Sequence, residues 1–437
     1  MTASDLKSPE PFSVPAGRCA KGRIRPPASK SLTHRYLNLA LLSGQPLRVE
    51  RPLVAEDTNL FLAALETCGF GVERSSQEVR LTPGNEPVQG GEIYCGNAGT
   101  MYRFLVATLC ALPGTWRLDG TPRLRERPVG PLIVSLRKLG AEIRCLGEEG
   151  YGPLEIVGGS LRGGHTTVDA GESSQYLSAL LQAAQRAKRP VEIEVTSLTS
   201  APYLDLTLDA IEIFGGRVEL LPGSVYRVIP GTLGVSQVIV DGDDSAASYG
   251  AAAAALTGGL VQLEGLNRSS KQGDRKFLEL LEQMGAAVTW DPSGQPGVVE
   301  IRGEKLAAIE SDLSAIPDQV PTLAALAPFA HGTTRIENVP HLRIKECDRL
   351  AAMARELGRL GVPVVELPDG LVIEGIWADG VATDLEPVEV ATYDDHRIAM
   401  SLALVGLRRP GVSIADPQVV GKSYPDFWRD LRSLLSL

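Results

Sequence analysis

One pattern recurs six times along the 437 residues: a polar motif, an apolar stretch of about three helical turns, a Gly or Pro break, then a short alternating strand. The copies read SKSLTHRYLNLALLS-GQPLRVE from Ser29, GNAGTMYRFLVATLCAL-PGTWRLDG from Gly96 and GESSQYLSALLQAAQRA-KRPVEIEV from Gly171. They continue as DGDDSAASYGAAAAALT-GGLVQLEG from Asp241, IPDQVPTLAALAPFAH-GTTRIEN from Ile316 and YDDHRIAMSLALVGLRR-PGVSIAD from Tyr393. Gly44, Gly114, Gly259 and Gly332 are expected to end four of the helices. A second helix-to-strand junction carries Gly69, Gly140, Gly215, Gly285 and Gly361, spaced by 71, 75, 70 and 76 residues. A glycine at such a junction supplies the left-handed cap that stops a helix. The chain therefore reads as about six α/β units of 70–76 residues, a period too long for a solenoid.

The first helix of each unit is apolar nearly all round, which predicts burial. The second type, such as Val134 to Leu139 or Phe277 to Met284, mixes charge with apolar residues and should face solvent. Buried helices need strands to close the outside. The expectation is two inside-out α/β domains of three units each, with sheets on the surface and helices within.

Composition narrows the function classes. Apolar residues are 43% and charged residues 22%, values of a folded globular protein. A net charge of −10 disfavours broad binding to nucleic acid or anionic lipid, and 5% aromatics disfavour a base-stacking platform. The cysteines Cys19, Cys68, Cys95, Cys110, Cys145 and Cys347 form no CxxC pair, and only five histidines exist, so metal-ligand spacing is absent. Scattered cysteines fit a reducing compartment. The start MTASDLKSPEPFSVPAG has no apolar run of signal length, and no run reaches the roughly 18 apolar residues of a membrane helix. The expected location is the cytoplasm.

Each polar motif sits at the start of a buried helix. Such starts leave backbone N–H groups unpaired and carry roughly +0.5 charge. Capping needs one Ser, Asp or Asn per helix. These motifs carry more, including lysine and arginine, which the helix dipole disfavours there. An anionic ligand removes that conflict. Lys30, Ser31 and Arg35 surround one start, with Ser31 and Arg35 at i,i+4. Gly96-Asn97-Ala98-Gly99-Thr100 is a glycine turn into a helix. Arg123, Arg125 and Arg127 fall within five residues, although a solvated loop is the default for such a run. Arg343-Ile344-Lys345-Glu346-Cys347-Asp348-Arg349 is denser. Lys345, Glu346 and Arg349 can share a helix start, with Lys345 and Arg349 at i,i+4, and a carboxylate between two cations favours its charged form.

In this order the motifs PASKSxxxR, GNAGTxxR, RxxERPxG, SSQ, SxPYxD, IPD, LRxKExDR, TYDDHRxAM and GKSYPDF resemble the 5-enolpyruvylshikimate-3-phosphate synthase family. The resemblance runs from about Pro27 to Phe427. It implies two globular domains, each three βαβαββ units as an inside-out α/β barrel. The expected boundaries are 26–240 for the shikimate 3-phosphate side, and 1–25 with 241–437 for the phosphoenolpyruvate and acid/base side.

The resemblance further implies transfer of the enolpyruvyl group of phosphoenolpyruvate to the 5-hydroxyl of shikimate 3-phosphate, through a tetrahedral intermediate, by a monomer with neither metal nor cofactor. It puts Lys30, Asn97, Gly99, Arg127, Gln175, Arg349, Arg397 and Lys422 at phosphoenolpyruvate. It puts Lys30, Ser31, Arg35, Ser173, Ser174, Gln175, Ser200, Tyr203, Asp318, His341 and Lys345 at shikimate 3-phosphate. Proton traffic falls to Glu346 at the methylene and Asp318 at the hydroxyl, with Lys30 sharing it.

There are departures. Met101-Tyr102-Arg103-Phe104 is bulkier than the family pattern, Ala201 replaces a basic residue of some members, and His341 replaces a polar amide. His396 is expected to orient neighbours. Three rivals remain distinguishable. A UDP-N-acetylglucosamine enolpyruvyl transferase resembles a Lys-Asn start and a cysteine loop; here Lys30 precedes a serine and Thr121 to Pro128 has no cysteine. A non-catalytic phospho-ligand sensor is expected to lack Asp318 and Glu346. An RNA-end-processing protein is expected to carry a basic surface.

Overall fold

The computed structural model describes residues 10–86, 88–291 and 297–437. Residues 1–9, part of the segment read for a signal sequence, lie outside the described residues. The chain divides into two compact units, Ala28–Asp241 and Met1–Pro27 with Gly242–Leu437.

The Ala28–Asp241 unit has three four-stranded sheets built on one plan. In one, Gly90–Tyr94 runs parallel to Thr115–Asp119, which is antiparallel to Leu154–Val157, which is antiparallel to Glu142–Cys145. Gly164–Ala170, Val191–Leu198, Val225–Ile229 and Arg217–Leu221 repeat that order. In the third sheet Gln237–Ile239 returns from the end of the unit to lie parallel to Leu47–Glu50. The other unit follows the same plan with two four-stranded sheets and one three-stranded sheet. There the early strand Lys21–Ile24 pairs parallel with Leu260–Leu266, and Phe12–Ser13 pairs antiparallel with Val412–Ile414. These pairings bring the first residues into the later unit.

The strands alternate in burial, as Leu47–Glu50 and Gly297–Arg302 illustrate, so one face of each sheet meets apolar side chains. Those side chains come largely from helices Lys30–Ser43, Gly99–Ala111, Gln175–Ala184, Asp244–Thr257, Val320–Leu326 and His396–Arg408. All seven residues of Val320–Leu326 are buried. The alanine run 251–255 keeps one of these helices slim. A Cβ at Gly250 would come within 2.9 Å of Ile24 and Leu263, so a larger residue would push the helix off its sheet. Helices Gly130–Lys138 and Lys276–Met284 bury only one face, as their mixed sequences predict.

Gly69, Gly140, Gly215, Gly285 and Gly361 all have positive φ, between 78° and 108°, as their junction role requires. Of the four glycines expected to end helices, Gly44 does so, whereas the Gly99–Ala111 helix is capped by Leu112 ahead of Gly114, and the turn that follows Val320–Leu326 is capped by Ala330 ahead of Gly332. The 244–257 helix ends on Gly258 at φ 65°, and Gly259 begins the exit. At Gly259 a Cβ would lie 1.9 Å from the Ala20 carbonyl oxygen, so that glycine serves close backbone packing.

Candidate active site

In the Ala28–Asp241 unit, Ser29 caps the Lys30–Ser43 helix and leaves Lys30 and Ser31 at its first turn. The Lys30 ammonium lies 3.2 Å from Asp57, a buried carboxylate at the start of the Glu56–Thr67 helix. Arg35 is 2% exposed and works as a clamp: Nε donates to Thr207 Oγ1 at 2.9 Å, Nη1 to the Ser31 carbonyl at 2.9 Å and Nη2 to the Tyr203 carbonyl at 2.7 Å. Burial lowers its pKa to about 10, which still leaves it charged at neutral pH. The i,i+4 relation of Ser31 and Arg35 is thus realised through a carbonyl.

The arginine run separates. Arg123 pairs with Glu126 at 3.0 Å and Arg125 makes two 2.8 Å bonds to Asp119, both near solvent. Arg127 alone is buried, donating from Nη1 to the Asn97 carbonyl at 3.2 Å and to Asn97 Oδ1 at 3.4 Å. Gly99 gives the guanidinium room, because a Cβ there would stand 2.5 Å from Arg127 Nη2 and push it aside. Gln175 donates from Nε2 to Thr100 at 3.0 Å and accepts from Arg103 Nη1 at 2.9 Å. Arg103, noted in the sequence only as part of a departure from a family pattern, therefore orients that amide. Ser173 accepts from the Gln175 backbone N–H at 3.3 Å, and Ser173 and Ser174 are both buried. Ser200 holds φ 54°, a left-handed conformation that costs a non-glycine residue about 1 kcal/mol, and its carbonyl accepts from Tyr203 N at 3.2 Å. Ala201 adjoins it with a short, exposed side chain. Tyr102, the bulky departure, points into the core toward Gly152.

In the other unit one buried guanidinium holds three carboxylates. Arg349, 2% exposed, reaches Asp395 at 2.7 Å from Nε, Asp318 at 2.8 Å from Nη1 and Glu346 at 2.9 Å from Nη2. Asp318 spends its other oxygen on Arg397 Nη2 at 2.7 Å, and Glu346 Oε1 lies 3.8 Å from Lys422 Nζ. Burial opposes charge on Asp318, but Arg397 and then Arg349 outweigh it and hold the carboxyl well below the usual carboxylate range. Asp395 is fully buried and also caps the His396–Arg408 helix through Arg397 N at 2.8 Å. The turn into it is tight, with Tyr393 at φ 55° and Asp394 at φ 54°. His396 Nδ1 lies 3.7 Å from Asp395. His341 is buried and lowered to about 4, first by burial and then by the Lys345 charge, so it stays neutral at pH 7.

The Lys345–Arg349 register needs correction. The helix begins only at Arg349, with Asp348 as its cap, and Lys345 and Glu346 precede it in a bend. The two cations are therefore not helical i,i+4 neighbours. The cations flanking Glu346 are Arg349 and Lys422. Asp348 claims the cap because its short carboxylate reaches Ala351 N at 3.0 Å. Three carboxylates escaped sequence reasoning. Asp57 and Asp274 sit in unremarkable stretches, whereas the doubled acid of TYDDHR could have flagged Asp395. Among the described residues no group of His, Cys, Asp and Glu is arranged to hold a metal ion.

Repeated mixed α/β modules whose buried helix starts carry clustered cations and carboxylates define the class, an α/β protein equipped for small anions. A family model described as EPSP synthase (3-phosphoshikimate 1-carboxyvinyltransferase) matches residues 15–431. The chain is 44% identical over 423 residues to the 3-phosphoshikimate 1-carboxyvinyltransferase of Syntrophobacter fumaroxidans, covering 95% of this chain and 97% of that protein. It is 40% identical over 436 residues to the protein of the same name from Nitrosomonas europaea, covering 96% and 98%. The EPSP synthase structure from Acinetobacter baumannii matches with a TM-score of 0.78 at 29% identity, covering 97% of each chain. The chain belongs to the EPSP synthase family, enzymes of the 3-phosphoshikimate 1-carboxyvinyltransferase type that serve the shikimate pathway and aromatic biosynthesis.

Proposed function

We propose that this chain transfers the enolpyruvyl group of phosphoenolpyruvate to the 5-hydroxyl of shikimate 3-phosphate, releasing phosphate. The observation that carries the reading is the Arg349 hub, which fastens both Asp318 and Glu346 to a single buried cation. Arginine suits bidentate capture of carboxylate and phosphate. An arriving phosphoenolpyruvate competes with Asp318 and Glu346 for Arg349, Arg397 and Lys422. Its binding releases those two carboxylates for proton transfer. Lys30, Asn97, Gly99, Arg127 and Gln175 complete its contacts. Ser31, Arg35, Ser173, Ser174, Ser200, Tyr203, His341 and Lys345 hold shikimate 3-phosphate, joined by Lys30, Gln175 and Asp318.

Two steps follow. The substrate hydroxyl attacks C2 of phosphoenolpyruvate, its proton passing to Asp318, while C3 gains a proton from Glu346, which has taken one up from solvent on its displacement from Arg349, with Lys30 assisting. The resulting tetrahedral intermediate then returns a C3 proton to Glu346 as the C2–O bond to phosphate breaks, and the proton on Asp318 leaves with the departing phosphate. The cationic shell stabilises the anionic groups throughout. In this reading Ala28–Asp241 is the shikimate 3-phosphate side and the other unit the phosphoenolpyruvate and acid/base side. Each is three βαβαββ repeats in an inside-out barrel, in a cytoplasmic monomer that needs neither metal nor cofactor. No described helix is long and apolar enough to cross a membrane.

The test is direct. Purified protein mixed with both substrates should release inorganic phosphate, and omission of either substrate should stop release. Phosphate release without shikimate 3-phosphate, or none with both, overturns the reading.

A further inference from the structure

Asp274 lies outside every group of residues assigned above, and it is 4% exposed in the turn Gly273–Arg275. Ser245 Oγ, at the start of the 244–257 helix, donates to its Oδ2 at 2.8 Å. Gln319 Nε2 donates to its Oδ1 at 3.1 Å, and Gln319 directly follows Asp318. Two residues upstream, Gln272 donates to the Gly242 carbonyl at 2.8 Å and accepts from Asp244 N at 3.3 Å. The turn is thus bolted both to a helix start and to the segment bearing Asp318. The charges acting on Asp274 are Asp318 and Arg397. Asp243 and Asp244 stand at the same helix start, and Arg275 on its own turn is engaged with the Asn267 and Arg268 carbonyls. Lys276 begins the helix that follows.

We propose that Asp274 is a positioning residue that orients Asp318 through Gln319 and raises its basicity. The inference rests on the proposed role of Asp318 as proton acceptor. With both oxygens held by arginines, Asp318 is a weak base. A second buried negative charge drawing on the same Arg397 opposes that hold. Asp274 itself is pushed up to about 6, by burial first and the Asp318 charge second, so it changes charge just below neutrality. Once it is protonated, the push on Asp318 is gone.

Asp274→Asn keeps the size and can keep both hydrogen bonds. It should lower kcat about three- to tenfold with both KM values within about twofold, and remove the limb near pH 6 from the kcat/KM profile, which reports the free enzyme. Ser245→Ala removes a donor that favours charged Asp274, so it should move that limb upward by roughly half a pH unit. Asp318→Asn, run in parallel, should lose at least about a hundredfold. A dead Asp318→Asn beside an Asp274→Asn profile matching the parent in height and shape overturns the proposal and leaves the acceptor standing. A nearly normal Asp318→Asn removes the acceptor, and the proposal falls with it. If Asp274→Asn does not fold, Ser245→Ala decides: an unmoved limb overturns the proposal.

Discussion

The buried arginines assigned to the candidate site are held in opposite ways in the two units. In Ala28–Asp241 the partners of Arg35 are a hydroxyl and two carbonyls, and Arg127 leans on Asn97. In the other unit Arg349 and Arg397 grip carboxylates. Neutral partners leave positive charge in place, which suits a phosphate ester that keeps its charge throughout. Carboxylate partners cancel charge until a stronger anion arrives, and in the proposed reaction that makes anion capture and release of acid/base groups a single event. Buried ion pairs are costly to form and costlier to break one-sidedly.

The sharpest way to break this contrast is to remove one arginine from each unit. Arg349→Met takes the shared cation from three carboxylates, the fully buried Asp395 among them, and should cost about 3–5 kcal/mol in urea unfolding. Arg35→Met leaves only neutral groups unmet and should cost about 1–3 kcal/mol. Equal losses would erase the distinction. Glu346→Ala should cut turnover at least about a hundredfold in a stopped phosphate assay, and near-normal turnover takes Glu346 out of the mechanism. Lys422→Met should weaken phosphoenolpyruvate by roughly tenfold and shikimate 3-phosphate far less, as read by separate KM values; equal losses contradict the division of labour. Gly99→Ala would put a methyl against Arg127, the movable end of a side chain, so it should raise the phosphoenolpyruvate KM about tenfold with little change in melting temperature.

A separate effect, confined to acid, concerns pH. His34 is fully buried in the Ala28–Asp241 unit beside Phe61, and burial lowers it from 6.5 to about 3. Between those values the unfolded chain binds a proton that the folded chain refuses. Stability should therefore fall as pH drops from about 6.5 toward 3. His34→Phe should flatten that slope by one proton in urea midpoints measured across the window. An unchanged slope would show that His34 is not the group.

The repeat makes the modules legible in the sequence, because a buried helix and a half-buried strand have different hydrophobic periods. The junction glycines were readable because their conformation admits little else. The helix starts were located, but not what their side chains hold. Arg123, Arg125 and Arg127 look alike in sequence, and only the packing of Gly99 and Asn97 draws the last inward. Asp348 displaced Lys345 from the helix because a cap is won by local hydrogen bonding, which spacing does not reveal. Asp57 and Asp274 gave no signal, since their partners lie 27 and 45 residues away in Lys30 and Gln319.

The pairing of Lys21–Ile24 with Leu260–Leu266 has a consequence for biosynthesis. The early strand leaves the ribosome with no partner to join. At about 5–20 residues per second, the roughly 240 residues between them take about 10–50 s to make. The inserted unit is made within that interval, its closing strand Gln237–Ile239 only about 1–4 s ahead of Leu260, and the first strand waits throughout for a partner that the second half of translation supplies.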